Sequence, residues 1–452
     1  MSRRRAGAPR PGDAPLPGDA PRLGEAPPPP ALPGVRVVLD VRPLQEPERA
    51  PATAAYLDAL LGAFDRSPIG GESFAFLLQS DLDDPTERFG RLSVIGRRLL
   101  PPTRLLRGGA LTVDPILLSG ASLGAAWRAE QSGAAGAVYH AAGGAVPLAT
   151  GLPLVATLLD LAPWELPRTY QRGLAARFGQ RLRARILRDA AAVIVGTEAV
   201  ARDARRLLRL RRDRVRVVPF AARAAFVRAA DGSASAPGGG SPATDARGDR
   251  ERLGLPDRYL AYAARFDARQ DLATLLGALA ELASAGRPGD LSADVPWPPR
   301  VLLIGATPDD RAALARAAAR AGIGEALTYA PGLDVERTAS LVAGARAALA
   351  PARSDATGIA ALEAIAAGTP VVASAVGALP EIVGPAGILV EPRDPIRLAE
   401  AIRTVWLDDA LHGRLVAAAR DRATVRARTW DDVAAETRAV YWDVGRPRAN
   451  RD

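Results

Sequence analysis

Residues 350–390 read APARSDATGIAALEAIAAGTPVVASAVGALPEIVGPAGILV, and the fold follows from them. The runs Ala347–Ala350, Val371–Ala373 and Ile388–Val390 are short, apolar and separated by helical or turn segments, the pattern of parallel strands buried on both faces. Between the first two lies TGIAALEAIAA at 357–367, apolar on every face except at Glu363. A helix apolar all round is a buried one. A lone buried carboxylate is destabilising unless paired or hydrogen-bonded, so Glu363 requires either hydroxyl partners, which a ribose diol would supply, or one of the many arginines. Asp355, eight residues upstream, sits on the loop entering this helix. It, or Ser354, either caps the helix or contacts sugar hydroxyls. Gly358 lets a ligand approach the first turn at Ile359, whose free N–H groups and positive dipole end suit a diphosphate.

The same alternation continues upstream through Tyr259–Ala263, Val301–Ile304 and Leu327–Tyr329. Expected strands in the first half are Val35–Leu39, Phe74–Leu78, Ala137–Tyr139, Leu154–Leu158, Ala192–Val195 and Val215–Pro219. Residues 229–250, AADGSASAPGGGSPATDARGDR, form a Gly/Ser/Pro-rich break read as a linker or insertion. The expectation is therefore an α/β chain of two doubly wound, Rossmann-like domains, 35–228 and 251–428. An amphipathic helix within 429–446 returns to the first domain. Residues 1–34 repeat GDAP and GEAP every six positions and read as a disordered tail. Two such domains facing each other put the carboxyl ends of both sheets around a central cleft, where open α/β sheets bind ligands. Arg265 follows the strand YLAYAA at that end and can hold a phosphate.

Composition removes several chemistries. Of 452 residues, 59 are basic and all of these are arginine, against 50 acids. Without lysine there is no Walker-type loop and no Schiff base. Without cysteine there is no disulfide, thiolate nucleophile or iron–sulfur cluster. Two histidines, His140 and His412, cannot form a three-histidine metal site. No cofactor or metal is expected, although carboxylates alone leave magnesium or manganese open. No G-x-G-x-x-G follows a strand, which disfavours a dinucleotide oxidoreductase.

The segments VVLDVRPLQ (37–45), VYHAAGGAVPL (138–148), LVATLLDLAPWELPRTY (154–170), AAVIVGTEAVARDARRLL (191–208), RVRVVPF (214–220), YAARFDARQDLATLL (262–276) and GTPVVASAVGALPEIVGPAGILVEP (368–392) resemble glycosyltransferase family 4. The likeness runs from Val35 to about Asp443. It implies a GT-B fold and retaining transfer of a sugar from a nucleoside-diphosphate donor to an acceptor hydroxyl. In the family's Glu-x7-Glu pair the second glutamate binds the ribose and the first contacts the donor sugar; here the pair is Asp355 and Glu363. The arginine and lysine on the donor diphosphate correspond to Arg265 and Gln270, with Arg269 adjacent. A histidine preceding an aspartate in the first domain corresponds to Leu159 before Asp160. The glycine-rich turn after the RPLQ-like segment is EPERAPATAAY at 46–56, without glycine. The resemblance thus implies Asp355 and Asp160 on the catalytic side, and Arg265, Arg269, Gln270, Gly358, Ile359 and Glu363 on the donor. Its four departures raise the alternative of a catalytically impaired relative acting as a binding scaffold or partner subunit. His140 is read with equal weight as a cleft residue or a packed one.

Two arginine clusters remain. Residues 168–188 hold seven arginines and no acid; 202–216 hold eight against Asp203 and Asp213. Basic helices with Leu, Ile or Phe on another face lie on anionic membranes, and an arginine-biased chain also places such residues on solvated faces. The 202–216 cluster holds no aromatic and 168–188 only Tyr170 and Phe178, too few for a base-stacking platform, so nucleic acid is not expected. The first residues lack a secretory apolar stretch, and the expected location is cytoplasmic, with a peripheral contact at the inner face of the membrane open. The resemblance implies a saccharide or lipid-linked acceptor.

Overall fold

Short runs of Val, Leu, Ile and Ala become strands because such runs can be buried on both faces only inside a parallel sheet covered by helices. The computed structural model describes residues 34–102, 113–131, 136–230, 242–330, 332–425 and 427–445. The expected tail, up to residue 33, lies outside them. In the first half β1 (Arg36–Asp40), β2 (Ser73–Gln79), β3 (Val94–Leu100), β4 (Ala137–Ala142), β5 (Leu154–Thr157), β6 (Ala192–Val195) and β7 (Val215–Val217) form one sheet, ordered β3-β2-β1-β4-β5-β6-β7. In the second half β8 (Leu260–Tyr262), β9 (Val301–Ile304), β10 (Leu327–Ala330), β11 (Ala347–Ala350), β12 (Val371–Ser374) and β13 (Gly387–Val390) form another, ordered β10-β9-β8-β11-β12-β13. The pairings are parallel, as in Val37 opposite both Phe74 and Val138, and Ala348 opposite Val371. This is the expected pair of doubly wound sheets.

Strand β3 is an addition to the sequence reading. Its sequence, VIGRRLL, carries a glycine and two arginines, and Ile95 to Leu99 are largely exposed. It is an edge strand held by pairing with β2 alone, so no apolar pattern was required of it. The break read at 229–250 is also partly revised. Residues 231–241 lie outside the described ones, but Pro242–Arg252 is a helix. Its buried Asp249 is ion-paired with Arg337 at 2.7 Å, which ties this helix to the second domain.

Each sheet is covered on both faces. The helix Pro51–Arg66 and the last helix, Trp430–Gly445, share one core cluster with β1 and β2 through Leu57, Phe64, Phe74, Val433 and Tyr441. The last helix therefore packs on the first sheet although it follows the second in the chain. A buried ion pair, Arg438 to Glu72 at 2.9 and 2.6 Å, fixes it there. The two halves also meet through side chains: the Glu381 carboxylate accepts the N–H groups of Glu198 and Ala199 at 3.3 and 3.0 Å, at the positive end of the helix Glu198–Leu208. Ala356, Ala378 and Ile382 of the second half complete a core cluster of the first.

Candidate active site

In the first sheet the strand order reverses between β1 and β4, and in the second between β8 and β11. Loops leaving neighbouring strands diverge there and open a crevice. A cleft of about 310 Å³ lies between the halves. The first half contributes Pro51, Ala52, Ala55 and Tyr56 after β1, and Leu159 and Asp160 after β5. The second contributes Arg265, Arg269 and Gln270 after β8, and Asp355, Ile359 and Glu363 after β11. Of the eight residues singled out in the sequence, seven line this one cleft; Gly358 lies between two others that do, Thr357 and Ile359.

Asp355 closes the turn that leads into the helix and does not cap the helix itself, whose N-cap is Gly358 with no side-chain cap bond. One carboxylate oxygen accepts the N–H groups of Thr357 at 3.0 Å and Gly358 at 2.7 Å, and the Thr357 hydroxyl at 3.3 Å. Burial pushes its carboxyl above the usual range, and these donated bonds work in the opposite direction. Gly358 has φ +60°, and a Cβ there would meet the side chain of Ile382 at 2.3 Å. The first helical turn leaves its leading N–H groups without intrahelical acceptors, and Ile359 and Ala360 both face the cleft.

Glu363 is buried and, of the two kinds of partner open to it, has the cationic one. Arg223 donates to both carboxylate oxygens, at 2.5 and 2.8 Å. Arg223 belongs to the connection after β7, stacks over the Phe226 ring at 5.1 Å from its centroid, and lines the same cleft. In FAARAAF nothing but its charge marked it out.

The two cleft arginines after β8 are paired as well. Arg265 donates to Asp267 at 2.8 Å. Arg269 spans the cleft: it meets Asp267 of its own loop at 3.1 Å and Asp160 of the opposite domain at 3.1 Å. Burial works against the charge of Arg269, but the Asp267 hydrogen bond and the charges of Asp160 and Asp267 outweigh it and hold its pKa above the ordinary arginine value. Asp160 also accepts the N–H of Ala162 at 2.8 Å. Asp267 was not singled out from the sequence, where an acid among arginines carries no signal. Gln270 sits at an isolated antiparallel bridge to Ala352, which joins the β8 and β11 loops.

Leu159 presents an apolar side chain to the cleft, and helix Pro51–Arg66 starts where a glycine turn was absent. His140 is a packed residue. It is fully buried, with Nε2 2.8 Å from the Thr157 hydroxyl and Nδ1 2.7 Å from that of Tyr441. Thr157 in turn lies 3.2 Å from the hydroxyl of cleft-lining Tyr56. Burial pushes His140 down to about 3, so it is neutral at ordinary pH. His412 bonds the carbonyl of Arg346 at 2.9 Å, far along the second domain. Among the described residues, no group of three or more His, Asp or Glu is placed to hold a metal ion.

Two family models match the chain side by side: "Glycosyltransferase Family 4" over residues 121–221 and "Glycosyl transferases group 1" over 246–422, together more than half of it. Among its relatives, the D-inositol 3-phosphate glycosyltransferase of Acidothermus cellulolyticus is 30% identical over 303 residues, 65% of this chain and 62% of that one. The enzyme of the same name from Nocardioides is 34% identical over 202 residues, 42% of this chain and 43% of the relative. The MMP alpha-(1->4)-mannosyltransferase of Mycolicibacterium hassiacum is 39% identical over 126 residues, 27% of this chain and 30% of that one. The chain thus spans less than two thirds of the length of these relatives. In structure it is similar to the sucrose-phosphate synthase of Thermosynechococcus elongatus, with a TM-score of 0.65 at 20% identity, covering 90% of this chain and 98% of that one. It is also similar to Anabaena HepE in complex with UDP-glucose, with a TM-score of 0.61 at 18% identity, covering 89% and 99%. These likenesses establish the GT-B fold.

Proposed function

This chain belongs to glycosyltransferase family 4, and on that premise we propose that it transfers a sugar from a nucleoside-diphosphate donor to an acceptor hydroxyl with retention of configuration. The observation that carries this reading is the convergence of Arg265, Arg269, Asp355, Ile359, Glu363 and Asp160 on one cleft between two sheets. As the bond from the anomeric carbon to the diphosphate breaks, negative charge grows on the departing oxygen. Arg265 and the N–H groups at Ile359 and Ala360 are preorganised donors for it. Glu363 receives the ribose diol, Asp355 orients the sugar, and Asp160 faces the acceptor from the first-domain wall. Calorimetric titration of the full chain with UDP-, GDP- and ADP-sugars tests the site and names the base. Micromolar binding of one of them is expected, and no heat with any removes the reading. Anomeric NMR of the product then checks retention.

Leu159 and Gln270 favour a second reading, a fold kept for binding with turnover impaired, because both face the cleft at positions where the resembling family carries a histidine and a lysine. The double variant Leu159→His, Gln270→Lys distinguishes the two. Under the second reading transfer rises by about tenfold or more, whereas equal or lower rates in the variant leave the wild type as the working enzyme.

The two arginine clusters differ in degree: three of the eight arginines in 202–216 have a carboxylate partner among the described residues. Between 202 and 216, Arg206 pairs with Asp203, Arg211 with Asp213 and Arg216 with Asp443. Among the described residues no carboxylate pairs with exposed Arg168, Arg172, Arg177, Arg181, Arg185 or Arg188. Arg177, Arg181, Arg185 and Arg188 lie on the helix Leu174–Asp189, where Leu174 is 82% and Phe178 65% exposed. Tyr170, just before it, lies near enough to the cleft residues Arg269 and Asp160 to feel their charges. This supports a peripheral contact with anionic lipid that brings a lipid-linked acceptor to the site. No helix of the described residues is long and apolar enough to cross a membrane. Co-sedimentation with phosphatidylglycerol vesicles should fall about tenfold in Arg172→Ala, Arg177→Ala, and also in Leu174→Ser, Phe178→Ser. Equal sedimentation with phosphatidylcholine would remove the charge argument.

A further inference from the structure

The charged groups lining the cleft balance: Arg223, Arg265 and Arg269 against Asp160, Asp355 and Glu363, with Asp267 bound to two of the arginines. Each of these arginines already shares its charge with an acid, and a diphosphate entering the site is met by Arg265, itself bonded to Asp267, and by the N–H groups at Ile359 and Ala360. A second full cation requires one of the pairs to open. Arg269 is the least able to, being 15% exposed and bonded to two acids on opposite walls. Arg265 shares Asp267 with it. Arg223 differs in both respects. Its side chain is 44% exposed while its partner Glu363 is 6% exposed, so the arginine is the movable member and the glutamate, on a buried helix, the fixed one.

The cation on Glu363 can also be replaced by a neutral ligand group, because a vicinal diol donates two hydrogen bonds to the two oxygens that Arg223 now occupies. We propose that Arg223 is an exchange residue for the donor. The ribose 2′,3′-diol of a nucleoside diphosphate takes over Glu363, and the released Arg223 guanidinium turns into the cleft to meet the diphosphate. It supplies there the second cation that Gln270 does not provide. This rests on the donor reading above and adds to it a residue from the connection between the domains. It makes diphosphate capture conditional on an intact ribose: a nucleoside alone has to displace Arg223 with no return, and pyrophosphate alone finds Arg223 still locked on Glu363.

The test compares wild type, R223A and R223K, checked for folding by circular dichroism melting. Each is titrated with UDP, GDP and ADP by calorimetry and with the matching nucleosides by ligand-detected NMR. R223A should weaken the bound diphosphate by about tenfold, the scale of one charge-assisted contact, while the nucleoside binds as tightly as before or tighter, since Glu363 no longer has to be vacated. R223K should recover part of the diphosphate affinity. Should R223A melt early because Glu363 is left unpaired, R223K carries the comparison alone, with a smaller loss of diphosphate and no loss of nucleoside. Unchanged diphosphate affinity in R223A, or equal losses of diphosphate and nucleoside, overturns the exchange while leaving the donor site standing. A wild type that binds none of the three diphosphates overturns both.

Discussion

Gly377→Ala should destabilise the second domain by about 3–5 kcal/mol, through two effects that add. Gly377 has φ +53°, where an L side chain is strained by about 1–2 kcal/mol. A Cβ at that position would also lie 2.0 Å from the carbonyl oxygen of Asp355 and 2.8 Å from its carbonyl carbon. Neither atom belongs to a side chain that can turn away. The same carbonyl accepts the N–H of Ala378 at 2.9 Å, so the loop after β12 is bonded to the loop after β11 across this contact. Relief means parting the two loops, and Asp355 with its bonds to Thr357 and Gly358 moves with them. The urea midpoint of Gly377→Ala is to be compared with that of Gly324→Ala, whose added Cβ meets nothing within 4 Å and whose φ is not left-handed. A Gly377→Ala midpoint equal to the control would show that the loops yield freely.

The second large effect is pH dependence through His140. An unfolded chain protonates this imidazole near its ordinary value of about 6.5, whereas burial holds it down to about 3 in the fold. Above pH 6.5 both states are neutral and its contribution to stability is fully present. As pH falls below that value the unfolded chain takes up a proton that the native state refuses. Stability then drops by about 1.4 kcal/mol per pH unit, or about 3 kcal/mol by pH 4, and this continues until the native value is reached. Unfolding of wild type and His140→Gln at pH 7, 5.5 and 4 isolates the effect, because Gln keeps one donor and one acceptor for Thr157 and Tyr441. Parallel curves for the two proteins would remove it. His412, also pushed down by burial, stays in both.

The legibility of the site differed by residue type. Glu363 stood out because a charge inside an apolar helix is an exception wherever it occurs. Gly358 and Asp355 stood out because they sit on the loop that enters this helix, a feature local in sequence. Arg223 and Asp267 did not, although both touch the predicted residues: Arg223 is one of many identical cations, and Asp267 is an acid among arginines. Strand β3 escaped for the opposite reason to Glu363. An edge strand exposed along most of its length leaves no apolar period to read. His140 was visible as one of two histidines, but its burial behind Tyr56 depends on Tyr441, which lies 301 residues away.

By itself the sequence determined the two parallel sheets and the loops that meet at the cleft. Strand length, apolar runs and left-handed glycines are properties of neighbouring residues, and burial of such runs admits few arrangements. Only the tertiary structure decided the charge pairing within that cleft. Arg223 finds Glu363 across 140 positions, and Arg269 finds Asp160 across the domain boundary. In a chain whose every basic residue is arginine, the choice of partner is made by distance and desolvation after folding, and no local pattern records it.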